Sequence, residues 1–149
     1  MRGVIPLPLM QSTVTTYSPF SCTANEKEEL LKTIRLMIDI TEQARREGLL
    51  SLEGWIKDPD CPGGKFRDGI DLFTHEAIML IVDGTEAEIV ERILTNLIQA
   101  CNGSSYELMR RYIIMQAILL VQEACNPRLL AILLLSLLGE EYIHALDPK

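Results

Sequence analysis

The sequence predicts an all-α fold, a compact bundle of about five helices with short loops and an irregular N-terminal arm. Apolar residues recur at helical spacing in successive stretches from Leu30 to Leu138. Residues that start and stop helices stand between those stretches. Beyond Ser12 to Tyr17, no run shows the alternation of a half-buried strand.

Residues 1–24 mix Pro, Ser and Thr with that β-prone stretch and read as a disordered or loosely docked arm. Residues 25–149 read as one helical domain. Asn25 is a suitable N-cap for the first helix, with Glu28 three residues on as in a capping box. Leu30, Leu31, Ile34, Met37, Ile38, Ala44, Leu49, Leu52 and Trp55 make its apolar stripe. Gly48 weakens this helix locally but need not end it. The run Asp58, Pro59, Asp60, Cys61, Pro62, Gly63, Gly64 is a loop.

A second helix is expected from about Phe66 to Val82, closed by Gly84. Thr85 then caps a third helix, with Glu88 completing the box. Its core face is read as Ile89, Val90, Ile93, Leu94, Leu97 and Ile98. Ser104 and Glu107 form a further box, opening a fourth helix from about Ser105 to Ala124. That helix is apolar on most sides after Tyr112, which places it at the centre of the fold or in an oligomer interface. Asn126 followed by Pro127 starts a fifth helix, because proline is preformed for the first helical position. Gly139 ends it, and Glu140 to Leu146 add one short helical turn.

A chain of 149 residues with 48% apolar content can bury one sizeable core. Its net charge of −7 argues against nucleic acid and against anionic lipid as partners, since both require a concentrated basic face. Cys22, Cys61, Cys101 and Cys125 show no CxxC spacing, and only His75 and His144 accompany them. They read as thiols in a reducing, cytoplasmic compartment, not as a zinc site. No segment reaches the roughly 18–20 apolar residues of a membrane span. The start MRGVIPLPLM faintly resembles a signal peptide, but Pro6 and Pro8 interrupt it and no A-x-A site follows.

Motifs of catalysis are missing: there is no phosphate loop, HExxH or nucleophile elbow. The chain therefore reads as non-enzymatic and without a cofactor. Asp68, Asp71, His75 and Glu76 fall on neighbouring turns of an expected helix, where a solvated polar face is the simpler reading than a metal site. Arg45, Arg46 and Glu47 alone likewise read as a solvated helix face. Arg110 and Arg111 read as a helix surface or as a basic edge for an acidic partner.

Three segments carry a resemblance, and they occur in a matching order. They are ARREGLLSLE (Ala44 to Glu53), VDGTEAEIV (Val82 to Val90) and QEACNPRLLAILLLSLL (Gln122 to Leu138). Together they resemble the cytoplasmic part of the flagellar stator A subunit family, MotA/PomA, over about residues 30–138. The second segment is similar to the family's VDGTDPE helix start and carries Gly84 and Thr85. The third is similar to its NPR stretch and carries Asn126 and Pro127. Ala124 stands where the family usually has Gly.

The family's four membrane helices have no counterpart in this sequence. Two would precede residue 30, and two would lie where only about Cys101 to Ser105 is found. Those last two form a hairpin whose ends lie side by side, so a short link can replace it. The resemblance then implies a soluble interaction module without ion conduction of its own. It implies a protein partner, a flagellar rotor component such as FliG, contacted through charges at Arg45 and Glu53, with Arg46 and Glu47 beside them. Arg45 and Glu53 share a helix face if the helix continues through Gly48. The alternative is a scaffold that keeps the fold without rotor contact and binds another helical partner or its own copy.

Overall fold

The computed structural model describes residues 22–57 and 66–147. The arm up to residue 21 and the loop 58–65, with Cys61, lie outside the described residues. The described residues form six α-helices and no strand. These are α1 (Ala24–Glu47), α2 (Leu52–Trp55), α3 (Leu72–Val82), α4 (Ala87–Gln99), α5 (Ser105–Gln122) and α6 (Pro127–Ser136). Short 3₁₀ turns occupy Leu49–Ser51 and Glu140–Tyr142. An isolated antiparallel bridge joins Lys57 to Phe66.

α1 begins one cap earlier than expected. Thr23, not Asn25, is the N-cap: its hydroxyl accepts from the Glu26 N–H at 3.1 Å, and the Glu26 carboxylate accepts from the Thr23 N–H at 2.9 Å. Two overlapping sequences offer a capping pair, and the reciprocal Thr23–Glu26 bonds decide between them. Leu30, Ile34, Met37 and Ile40 form the fully buried stripe of this helix.

Gly48 ends α1, correcting the expectation of a continuous helix. It lies at φ 87° and ψ 164°, a region essentially reserved for glycine, while its N–H still donates to the Ala44 carbonyl at 2.8 Å. The chain then turns through Leu49–Ser51 into the single turn of α2.

The second long helix starts at Leu72, not near Phe66. Asp71 is the reason. Its carboxylate accepts from the Thr74 N–H at 2.9 Å and from the Thr74 hydroxyl at 2.6 Å, in extended backbone that halts helix growth backwards. Upstream, the Arg67 N–H donates to the Ile56 carbonyl at 2.8 Å, and the Arg67 guanidinium stacks over Trp55 at 4.4 Å. α3 closes in a Schellman motif around Gly84 at φ 78°: the Thr85 N–H donates to Leu80 and the Gly84 N–H to Ile81.

α4 is capped at Glu86 without a side-chain bond, so Thr85 does not play the expected capping role. The Schellman motif already uses the Thr85 backbone N–H. Only half of α4's expected core face is buried. Val90, Leu94 and Ile98 are inside, whereas Ile89, Ile93 and Leu97 are exposed.

Ser104 caps α5, its hydroxyl accepting from the Glu107 N–H at 3.3 Å. α5 stops at Gln122, two residues before the expected end, in a second Schellman motif with Ala124 at φ 58°. Asn126 caps α6 by accepting from the Arg128 N–H at 2.8 Å, with Pro127 in the first turn.

α5 is the central element, packed by α1, α3, α4 and α6. It buries Met109, Ile113, Ile114, Met115, Ala117 and Ile118, among others. Arg110 and Arg111 serve this packing and not a free basic edge. Arg110 bonds to the Asp71 carboxylate at 2.8 Å and to the Gly69 carbonyl at 3.2 Å. Arg111 donates to the Leu97 carbonyl at 3.3 Å and lies over the Phe73 ring at 4.8 Å. No helix among the described residues is long and apolar enough to cross a membrane.

Candidate functional site

The last turn of α1 presents Arg45, Arg46 and Glu47 to solvent. Two cations suit a helix C-terminus, where the aligned peptide dipoles leave partial negative charge. The buried Gln43 organises the turn. Its amide donates to the Glu47 carboxylate at 2.7 Å and to the Ser51 hydroxyl at 3.1 Å, while its carbonyl faces the Arg46 guanidinium at 3.5 Å. Ser51 in turn donates to the Gly48 carbonyl at 2.7 Å. Arg46 and Glu47 are thus tied into the corner between α1 and the 3₁₀ turn.

Arg45 and Glu53 are exposed and form no hydrogen bond or ion pair among the described residues. They stand on separate helical pieces, because α1 breaks at Gly48. The expectation that eight residues make two turns of one helix therefore fails. Any shared face of Arg45 and Glu53 depends on the Gly48 corner and not on helix periodicity.

The three sequence segments meet at this end of the bundle. The Gln122 amide, at the start of the third segment, donates to the carbonyl of Thr85 in the second. Arg45 and Arg46 of the first line one depression with Pro127 of the third, together with Glu42. Gly84 and Asn126 hold the turns that make this convergence possible, as helix closer and helix opener.

Glu42 and Pro127 continue from that depression into a longer groove of about 610 Å³ between α1, α6 and the C-terminal turn. Ile38, Ala131, Ile132, Leu135, Ile143 and Leu146 supply its apolar surface. Arg128 lies at the same end as Pro127. His144 and Asp147 also line the groove, with His144 Nδ1 2.7 Å from the Asp147 carboxylate. Sequence reasoning missed the groove. The run from Leu129 to Leu138 is apolar apart from Ser136, and nothing local marks Ile132 as exposed while Leu130 and Leu134 are buried.

The polar cluster around His75 is used structurally. The His75 ring stacks on Phe66 at 4.5 Å, and its Nδ1 is 3.6 Å from Glu76. For Asp71, burial acts to raise the carboxyl pKa. The two hydrogen bonds from Thr74 and the Arg110 charge outweigh it and hold the carboxyl below the ordinary value. Among the described residues, no group of three or more His, Cys, Asp or Glu side chains is arranged to hold a metal ion. Cys22, Cys101 and Cys125 are free thiols.

Comparison with known family profiles, curated proteins and solved structures finds no match to this chain.

Proposed function

We propose that this chain is a non-enzymatic protein–protein interaction module of the stator A type. Its partner surface lies at the end of the bundle formed by the α1 corner and the α5–α6 turn. The observation that supports this reading is the convergence of the three resembling segments. Gln122 bonds to Thr85, and Arg45 and Arg46 share a depression with Pro127. The reading makes a flagellar rotor component the partner, with the exposed charges of Arg45 and Glu53 available to it. Exposed charge pairs add little affinity but guide orientation and association rate, which suits a contact made and broken repeatedly.

Titration of the purified chain with FliG tests the reading. Binding is expected to weaken with added salt, and Arg45→Glu or Glu53→Lys is expected to weaken it further. Binding that is indifferent to both reversals removes the assigned surface.

One observation favours a second reading, a homo-oligomeric scaffold. Ile89, Ile93 and Leu97 recur every four residues on α4 and are 41%, 36% and 38% exposed, an apolar stripe of the kind a second helix covers. Light scattering over a range of concentrations separates the two readings. A dimer dissociated by Ile93→Glu supports the scaffold, and a monomer throughout counts against it.

A further inference from the structure

We propose that the trough beside α6 is a docking groove for a single amphipathic helix of a partner protein. The partner helix carries apolar side chains on its inner face and carboxylates at the end that lies over Arg45, Arg46 and Arg128. This rests on the reading of this end of the bundle as a partner surface, and it specifies the partner's chemistry.

The shape comes first. The groove, about 610 Å³, is walled by two helices and closed along one side by the C-terminal turn. A trough between helices accepts a helix whose apolar residues repeat at i, i+3, i+4 and i+7. Its lining is mixed in a useful way. Leu135 forms a buried floor, and Ile132 is 37% exposed on the wall. Leu129 and Leu133 extend the apolar surface of α6 beyond the trough, at 56% and 50% exposure. These apolar side chains are rimmed by the charged Glu42 and Arg128.

Charge then sets the direction and chemistry of the occupant. The chain carries −7 overall, yet Arg45, Arg46 and Arg128 gather at the Pro127 end of the trough. Against these three cations, the carboxylates lining the trough among the described residues are Glu42 and Asp147. Asp147 is already faced by His144 Nδ1 at 2.7 Å. A helix with carboxylates at one end meets this asymmetry in one orientation, and a helix with lysines there does not.

Two synthetic peptides of about 18 residues, long enough to hold a helix, serve as probes. Both carry the same apolar face. One has Glu at one end, and its twin has Lys at those positions. Each is titrated into the full chain by fluorescence anisotropy and by methyl NMR. The acidic peptide is expected to bind about tenfold more tightly than its twin, with the preference shrinking at high salt. The signals of Ile38, Ile132 and Ile143 are expected to move. Ile132→Glu and, separately, Arg128→Glu are expected to weaken the acidic peptide about tenfold, while Ile93→Glu on α4 leaves it unchanged.

Equal binding of the twins, signal changes centred elsewhere, or no binding of the acidic peptide at about 1 mM overturns the proposal. So does a contact between the Ile5 and Ile132 methyl groups in the free chain, which would make the chain's own N-terminal segment the occupant. A dimer abolished by Ile132→Glu would make it a second copy. The rotor reading fails separately. FliG binding weakened by Glu53→Lys but not by Ile132→Glu keeps the rotor contact and discards the groove. A positive peptide result without FliG binding does the reverse.

Discussion

Ala124 occupies the left-handed region at φ 58°, at the position that closes the Schellman motif of α5. Its counterpart after α3, Gly84 at φ 78°, meets the same demand with a residue that has no Cβ to strain. An L-residue other than glycine pays roughly 1–2 kcal/mol there, partly offset by glycine's larger entropy in the unfolded chain. Ala124→Gly is therefore expected to stabilise the protein by about 0.5–1 kcal/mol, seen as a higher urea midpoint. An unchanged or lower midpoint would mean that the turn is not strained. Gly48 gives the converse case. A Cβ added there meets nothing within 4 Å, so the cost of Gly48→Ala is purely that of the φ 87°, ψ 164° backbone. A loss of about 1–3 kcal/mol is expected in the same urea experiment. If the substitution instead straightens α1 into α2 without loss, circular dichroism will show added helix. The corner between Arg45 and Glu53 would then be a preference of glycine alone.

At the scale of the element, α3 depends on how its first turn is held. Asp71 caps it through Thr74 and receives Arg110 from α5, so one carboxylate joins local and long-range structure. Asp71→Ala is expected to cost about 1 kcal/mol for the lost cap, with a smaller addition from the partly exposed ion pair. The pH dependence has a definite sign. The folded carboxyl lies below its unfolded value, so its stabilisation is present above the unfolded pKa and is lost as pH falls through the folded one. Thermal melts of wild type and Asp71→Asn should converge on acidification; curves that stay parallel would exclude the linkage. The same residue shows why some boundaries were not legible. Residues 66–70 contain enough apolar periodicity to read as helix, and the Thr74 bonds that make Asp71 a cap are joined by a tertiary contact from Arg110, thirty-nine positions away, that the local pattern does not show. Thr23 against Asn25 was ambiguous for a local reason: each has Glu three residues on. By contrast, the Ser104 and Asn126 starts were legible because a cap residue there directly precedes a clear helical run.

For the whole molecule, the central place of α5 was legible because a helix apolar on most sides needs neighbours on most sides. The extent of burial on α4 was not legible. Periodicity marks an apolar stripe but does not say how much of it other elements reach, and α5 covers only the side of Val90, Leu94 and Ile98. This difference can be measured. Ile118 is fully buried on α5, and Ile118→Ala is expected to cost about 2–5 kcal/mol through lost burial and the cavity left behind. Ile93 is 36% exposed, and Ile93→Ala is expected to cost well under half as much, about 1 kcal/mol or less. If a second copy covers the α4 stripe in solution, that ordering changes in a recognisable way. Ile93→Ala then loses burial against the partner helix as well, and the wild-type melting temperature rises with protein concentration by mass action. With the stripe uncovered, the melting temperature is independent of concentration and Ile93→Ala stays close to neutral. That is the outcome expected of a module whose partner is a foreign helix in the α1–α6 groove. A concentration-dependent melt that flattens in Ile93→Ala would move the interface to α4.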